Sequence, residues 1–348
     1  MNASAQNQTS LAAHAPRPRF DPVFEVPTLK VPAGKALGSV LAVVAAADGG
    51  LWVLHQATVQ PNVRGSAWLP SVVRFDSQGN FITAWGGPEH IPPVNGVCQW
   101  PDGLEGLEVD GDGNLWVFGY KPGDDAVLKF SPAGELLLRL GQRGVPGNDD
   151  SRTHLGRPTS AYHNTATREV FISDGYANHR VIAFNSDSGE FTRMWGAHGK
   201  QPSALDATEG FGNPVHKVAA GPDGRIYVAD RIKNRVQEFE LVSGGARFLR
   251  EVIIAPGTML FGSAFDIAFA PGGGFMYVAD GSNRRIWIVG LASFEVLGWV
   301  AGLEDAEGDI NLPAHYGLIH RFSADRDGNL LLACVARGVK RLIYKGIR

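Results

Sequence analysis

Three residues able to bind a metal occupy one position of a recurring phrase. The phrase is fullest in Glu105-Gly-Leu-Glu-Val-Asp-Gly-Asp-Gly-Asn-Leu-Trp-Val117, His216-Lys-Val-Ala-Ala-Gly-Pro-Asp-Gly-Arg-Ile-Tyr-Val228 and His320-Arg-Phe-Ser-Ala-Asp-Arg-Asp-Gly-Asn-Leu-Leu-Leu332. Its first residue is Glu105, His216 and His320 in turn. With 10 histidines in 348 residues, chance fills a given position with His roughly 3% of the time, so two matched histidines exceed what composition supplies. Two imidazoles and a carboxylate form a zinc set that can bring a bound water to a pKa of ~7. The same donors suit non-haem iron with open positions.

A repeat architecture must position these residues. The phrase returns about every 50 to 65 residues, with looser copies near Leu41, Thr159 and Phe265. Each copy reads as a strand, a tight Asp-Gly turn and a second strand, because Asp and Gly accept the positive φ that two-residue hairpins demand. Six such units predict an all-β chain: a six-bladed β-propeller of four-stranded antiparallel blades around a central channel. The blades are expected near residues 37–85, 105–140, 158–195, 214–254, 263–300 and 318–344. Equivalent positions in alternate blades then point at one axis from directions about 120° apart, with an open side left for water or substrate.

Phe20–Val31 has the alternation of an edge strand, interrupted by prolines, and is expected to complete the blade built by the C-terminus. Residues 1–19 are poor in large apolar side chains and are expected to be disordered, which leaves 20–348 as a single propeller domain. The connections Gly86–Pro101 and Gly196–Pro214 are long enough to serve as binding loops, or to be simple insertions. Trp85, Leu140 and Trp195 each precede a glycine and close outer strands, where an aromatic can wedge against the next blade.

Composition narrows the function. A net charge of −3 argues against nucleic acid as the main partner. No apolar run approaches the ~18 residues that span a membrane. The first 19 residues lack a secretory pattern, so a cytoplasmic location is expected. Cys98 and Cys334 read as two thiols in a reducing compartment. The expected partner is a small-molecule substrate, and the oligomeric state is left open. No Gly-x-Ser-x-Gly elbow, phosphate loop or Cys-x-x-Cys pair is present. Asp-x-Asp-Gly at Asp110 and Asp325 begins like a calcium loop but lacks its later ligands, and reads as a turn. His154, His163, His179 and His198 are expected in turns, His55 and Gln56 at the channel mouth.

The stretches Val170–Phe184, Phe191–Gly196, Pro214–Lys217 and Val228–Val236 carry Asp-Gly-Tyr, Val-His and Ala-Asp-Arg in successive blades. Through them the chain, from about residue 37 to 344, resembles the NHL-repeat propellers. The specific likeness is to the peptidyl-α-hydroxyglycine α-amidating lyase (peptidylamidoglycolate lyase) group and its bacterial relatives. The resemblance implies a zinc ion in the channel, held here by Glu105, His216 and His320. It also implies active-site roles for Tyr176 of Asp-Gly-Tyr and Arg231 of Ala-Asp-Arg.

Tyr176 would serve as acid or base if a metal or an arginine lowered its pKa; the alternative is an aromatic packed over the channel mouth. Arg231 would clamp a carboxylate; the alternative is a salt bridge to Asp230 or Asp174. Glu105 reads as a ligand, as a general base, or as the partner of a cation such as Arg231. The chain departs from the family pattern at three places. Glu105 replaces a histidine, Gln56 stands where an arginine is expected after Val-Leu-His, and Arg321 stands where the animal enzymes carry Asp. The resemblance therefore implies a metal-dependent lyase-like enzyme with altered chemistry, acting on a small hydroxylated substrate. A hydrolase using the same site and a non-catalytic propeller binding a peptide or protein are the alternatives.

Overall fold

A computed structural model describes residues 17–23, 29–57, 67–203, 208–300, 318–335 and 337–347. Six four-stranded antiparallel sheets follow one another along the chain, five of them pairing their strands in sequence order. Their first strands are Ser39–Ala45, Leu104–Val109, Pro158–Asn164, Val215–Ala220, Asp266–Phe269 and Leu318–Ala324. These six lie against one another around the axis and line the channel. The expected six-bladed propeller is therefore the observed fold.

The N-terminal segment closes the ring as expected, but its strand is not Phe20–Val31: it ends at Val23, and Lys30 bridges to Asn80 of blade one. Pro18–Val23 pairs antiparallel with Gly338–Ile347 and becomes the outermost strand of blade six. The expectation of disorder for residues 1–19 lies outside the described residues up to residue 16. Closure leaves no blade unmatched, so the apolar core divides into six clusters, one in each seam between neighbouring blades. The outer-strand aromatics sit in these seams: Trp85 packs on Phe130 of blade two and Trp195 on Phe239 of blade four. Ring pairs of this kind add about 0.5–1.5 kcal/mol beyond their buried area.

The inner hairpins differ from expectation in length. Between Asp110 and Asn114 the loop has three residues, and only Gly113 takes the left-handed conformation (φ +84°). One positive φ suffices because the Asp110 carboxylate accepts from the amides of Asp112 and Asn114 and fixes the turn. Asp325 does the same for Asp327 and Asn329.

The first strands of blades one, two, three, four and six each break register near their start. The breaks fall between Val40 and Ala42, Leu104 and Gly106, Pro158 and Ser160, Val215 and Lys217, and Ile319 and Arg321. The residues skipped are Leu41, Glu105, Thr159, His216 and His320. An extra residue in one strand re-aims a side chain, and here it turns the first residue of every phrase toward the axis. Phe265 takes the corresponding place in blade five, just before its first strand.

Candidate functional site in the central channel

Glu105, His216 and His320 meet on the axis from blades two, four and six, and all three are buried. His216 Nε2 lies 3.0 Å and His320 Nε2 3.3 Å from Glu105 Oε1. The two imidazole rings stand 5.4 Å apart and nearly perpendicular. The other ring nitrogens face backbone carbonyls of the following blades: His216 Nδ1 is 2.5 Å from Phe265 O, and His320 Nδ1 3.0 Å from Leu41 O. A carbonyl only accepts, so each Nδ1 carries a hydrogen, and each Nε2 is turned toward the axis. Such carbonyl partners are what orient metal-binding imidazoles.

His216 Nε2 is buried without a hydrogen-bond partner, despite its closeness to Glu105. Burial above all, reinforced by the charges of Arg321 and Arg231, holds this imidazole well below its usual range and therefore neutral. Burial also works against charge on Glu105. There it is outweighed by the neighbouring imidazoles, His320 first, so the carboxyl is held well below its usual range and ionised. Two imidazole Nε2 atoms and one carboxylate oxygen thus converge within 4.8 Å of one another. That donor set fits a divalent metal ion.

Tyr176 and Arg231 reach the same point from the loops that follow the second strands of blades three and four. The Tyr176 hydroxyl donates to Glu105 Oε2 at 3.4 Å and accepts from Arg231 Nη1 at 3.2 Å. Gly175 permits this, since a Cβ there would stand 2.0 Å from the Val215 carbonyl. Arg231 acts to lower the Tyr176 pKa, but the net shift is upward. Burial first, then the Glu105 charge, raises it far enough that Arg231 does not compensate. The phenol holds its proton.

Arg231 is buried, with its guanidinium 4.8 Å above the Phe265 ring and 5.5 Å from that of Tyr176. The alternative salt bridges are taken by others, since Asp230 pairs with Arg235 and Asp174 with Arg180. Among the described residues no carboxylate lies within ion-pair distance of Arg231, and its Nε has no partner.

Arg321, noted in the sequence only as a departure from the family pattern, joins two contributors that were not anticipated, Tyr120 and Lys217. Arg321 Nη2 donates to Glu105 Oε1 (3.2 Å) and Thr159 O (2.9 Å), and its Nη1 to His216 O (2.9 Å). Tyr120 stacks 5.6 Å from Tyr176, and the shared Gly-Tyr of residues 119–120 and 175–176 was the available signal. Below the site, Lys217 pairs with Glu108 and Asp266, and Asp266 also lies near Arg321. These groups cap a cavity of about 430 Å³ at the hairpin end of the channel.

Gln56, in the place of the expected arginine, binds backbone instead: it donates to Asp102 O and accepts from Leu104 N, anchoring the strand that carries Glu105. His163 lies in a strand and not in a turn, 3.0 Å from the Ser186 hydroxyl. Asp110, Asp112 and His163 also cluster. Turn amides, Asn114, Trp116 and Lys129 occupy Asp110, and Arg168 binds Asp112, so the acidic turn is structural as expected. Both cysteines are free, and no helix among the described residues is long and apolar enough to cross a membrane.

No protein-family model matches the chain. It is 30% identical over 238 residues to peptidyl-glycine α-amidating monooxygenase of Mus musculus, covering 65% of this chain and 22% of that protein. The chain thus spans under a quarter of the monooxygenase's length. It is 40% identical over 82 residues to peptidyl-α-hydroxyglycine α-amidating lyase 2 of Drosophila melanogaster, covering 23% of this chain and 19% of that one. With human NHL repeat-containing protein 3 it shares 26% identity over 181 residues, 51% of this chain and 47% of that one. Among solved structures, virginiamycin B lyase of Staphylococcus aureus superposes with a TM-score of 0.54 over 96% of this chain and 89% of its own. At 10% identity that likeness concerns the fold alone. The chain is a six-bladed β-propeller homologous to the peptidylglycine α-amidating enzymes and to the NHL repeat-containing proteins.

Proposed function

We propose that the chain is a metal-dependent lyase that cleaves a carbon–nitrogen bond in a small hydroxylated, carboxylate-bearing substrate. An N-acyl-α-hydroxyglycine is the class that fits the name of its insect relative. The observation carrying this reading is the convergence of two imidazole Nε2 atoms and one carboxylate oxygen, with His216 Nε2 buried and without a hydrogen-bond partner. Glu105, His216 and His320 would hold the ion, zinc or iron, which supplies a Lewis acid that makes a nearby hydroxyl easier to deprotonate.

Arg231, which has no carboxylate within ion-pair distance among the described residues, receives the substrate carboxylate. Glu105 Oε2, which Tyr176 already contacts, takes the proton from the substrate hydroxyl. The carbon–oxygen double bond forms, the carbon–nitrogen bond breaks, and the leaving nitrogen takes the proton that Tyr176 has kept. Glu105 returns its proton to the phenolate, so the protein ends as it began. The products are an amide and glyoxylate, and no oxidant is needed.

The test is turnover of N-benzoyl-α-hydroxyglycine by metal-reconstituted protein, followed as benzamide and glyoxylate. His216→Ala and His320→Ala are expected to remain folded and release neither. Failure of the wild type to release both products would reject the reading.

A further inference from the structure

Arg321 competes for the carboxylate that a metal at the channel site would need. Its Nη2 donates to Glu105 Oε1 at 3.2 Å, the same oxygen that His216 Nε2 and His320 Nε2 approach at 3.0 and 3.3 Å. The guanidinium is also fastened to two first strands. Nη2 donates to Thr159 O and Nη1 to His216 O, each at 2.9 Å. Gly106 leaves room for this, since a Cβ there would stand 2.9 Å from Thr159 O and 3.7 Å from Arg321 Nη2. Arg321 is buried, so swinging off Glu105 would forfeit hydrogen bonds that water does not replace.

The formal charges linked to the site already cancel. Glu105 meets Arg321 directly and Arg231 through the Tyr176 hydroxyl. Behind Arg321, Asp266 Oδ1 lies 3.8 Å from Nη1 and 3.5 Å from Lys217 Nζ, and Lys217 also pairs with Glu108. This linked set contains the carboxylates Glu105, Glu108 and Asp266 and the cations Arg231, Arg321 and Lys217. A divalent ion among the three donors adds two charges that the protein does not offset, beside a guanidinium fixed on one of its ligands.

We propose that Arg321 is a positioning residue that sets metal affinity: it shares Glu105 Oε1 with the ion and loosens the site's hold on a divalent metal. Neutralising Arg321 leaves the whole Glu105 charge to the metal and removes a repulsion, so the affinity rises. The inference rests on the reading that Glu105, His216 and His320 bind the ion.

The test is zinc titration of the metal-stripped full chain against a chromophoric chelator at neutral pH and fixed ionic strength. The proteins compared are wild type, Arg321→Gln, Arg321→Lys and Asp266→Asn. Arg321→Gln keeps a side-chain donor but no charge, and is expected to bind zinc about tenfold more tightly, a modest share of what one nearby charge is worth in a protein. Arg321→Lys retains the charge and is expected to stay near the wild type. Asp266→Asn removes the carboxylate that offsets Arg321, and is expected to weaken binding about threefold, the smaller effect of a more distant charge. A purely structural role would loosen the metal in all three variants. Zinc binding that is unchanged or weaker in Arg321→Gln, or equally tightened in Arg321→Lys, would overturn the inference while leaving the metal site standing. Unchanged or tighter binding in Asp266→Asn would overturn it too, and that variant decides the matter should Arg321→Gln not fold. A wild type that binds no zinc would overturn the inference together with the reading of the site.

Discussion

Arg321 Nη2 lies 3.2 Å from Glu105 Oε1, the same oxygen that both imidazoles approach. Both partners are buried, so the guanidinium offsets a charge that would be costly to hold in the channel. The chain thus pairs a buried carboxylate with a counter-cation at two of the positions where it departs from the pattern of the family it resembles.

Removing one partner should therefore cost more than removing both. Arg321→Met is expected to destabilise by about 3 kcal/mol, the lower range for orphaning one member of a buried pair. Adding Glu105→Gln should recover at least about 1 kcal/mol of that loss. Denaturant unfolding of the two single variants and the double reads this coupling. Additive losses would show that the pair is not a unit.

Tyr176→Phe removes the proton that the proposed mechanism gives to the leaving group, together with the hydroxyl's contacts to Glu105 and Arg231. On N-benzoyl-α-hydroxyglycine it should lower kcat by about 10²- to 10⁴-fold, the range for a positioned acid, with KM and the unfolding midpoint little changed. A fall in Tm with normal kcat would make Tyr176 a packing residue.

Arg231→Gln should raise KM for carboxylate-bearing substrates by about 10- to 100-fold, the worth of charge-assisted hydrogen bonds. Arg231→Lys should rescue poorly, because an ammonium cannot offer the planar fork. Steady-state kinetics on the acid and its methyl ester check this: the ester should be insensitive to the substitution.

His55 gives a pH-dependent term in stability. Its Nδ1 accepts from Gly38 N and its Nε2 faces Pro70 O, and burial holds the imidazole at about 4. The unfolded chain takes up this proton near pH 6.5, so the term is intact above that value and is lost as pH falls toward 4. The full loss is about 3 kcal/mol. Asp125, raised to about 6 chiefly by burial, acts in the opposite sense over part of this range. The measurement is therefore the difference in unfolding free energy between wild type and His55→Gln across pH 4 to 7. A flat difference would contradict the assignment.

The blades and the three channel residues were legible because the phrase repeats with its turn, and position within a repeat maps onto position around the ring. Arg321 was not. Strict alternation along a strand sends residues 320 and 321 to opposite faces, yet both contact Glu105. The register break between Ile319 and Arg321 makes this possible, and nothing in the residue types announces a bulge. The same break brings Lys217 into the channel beside His216. The protonation of Tyr176 was not legible for a related reason. Its motif predicted the neighbouring arginine but not the burial and the carboxylate that outweigh it.

The central claim is that Glu105, His216 and His320 hold one metal ion. Elemental mass spectrometry on tag-free wild type, His216→Ala and His320→Ala tests it most directly. The account predicts close to one equivalent of zinc or iron in the wild type and loss of that metal in both variants, with the fold retained by circular dichroism. A wild type without metal even after reconstitution, or variants that keep it, would contradict the account.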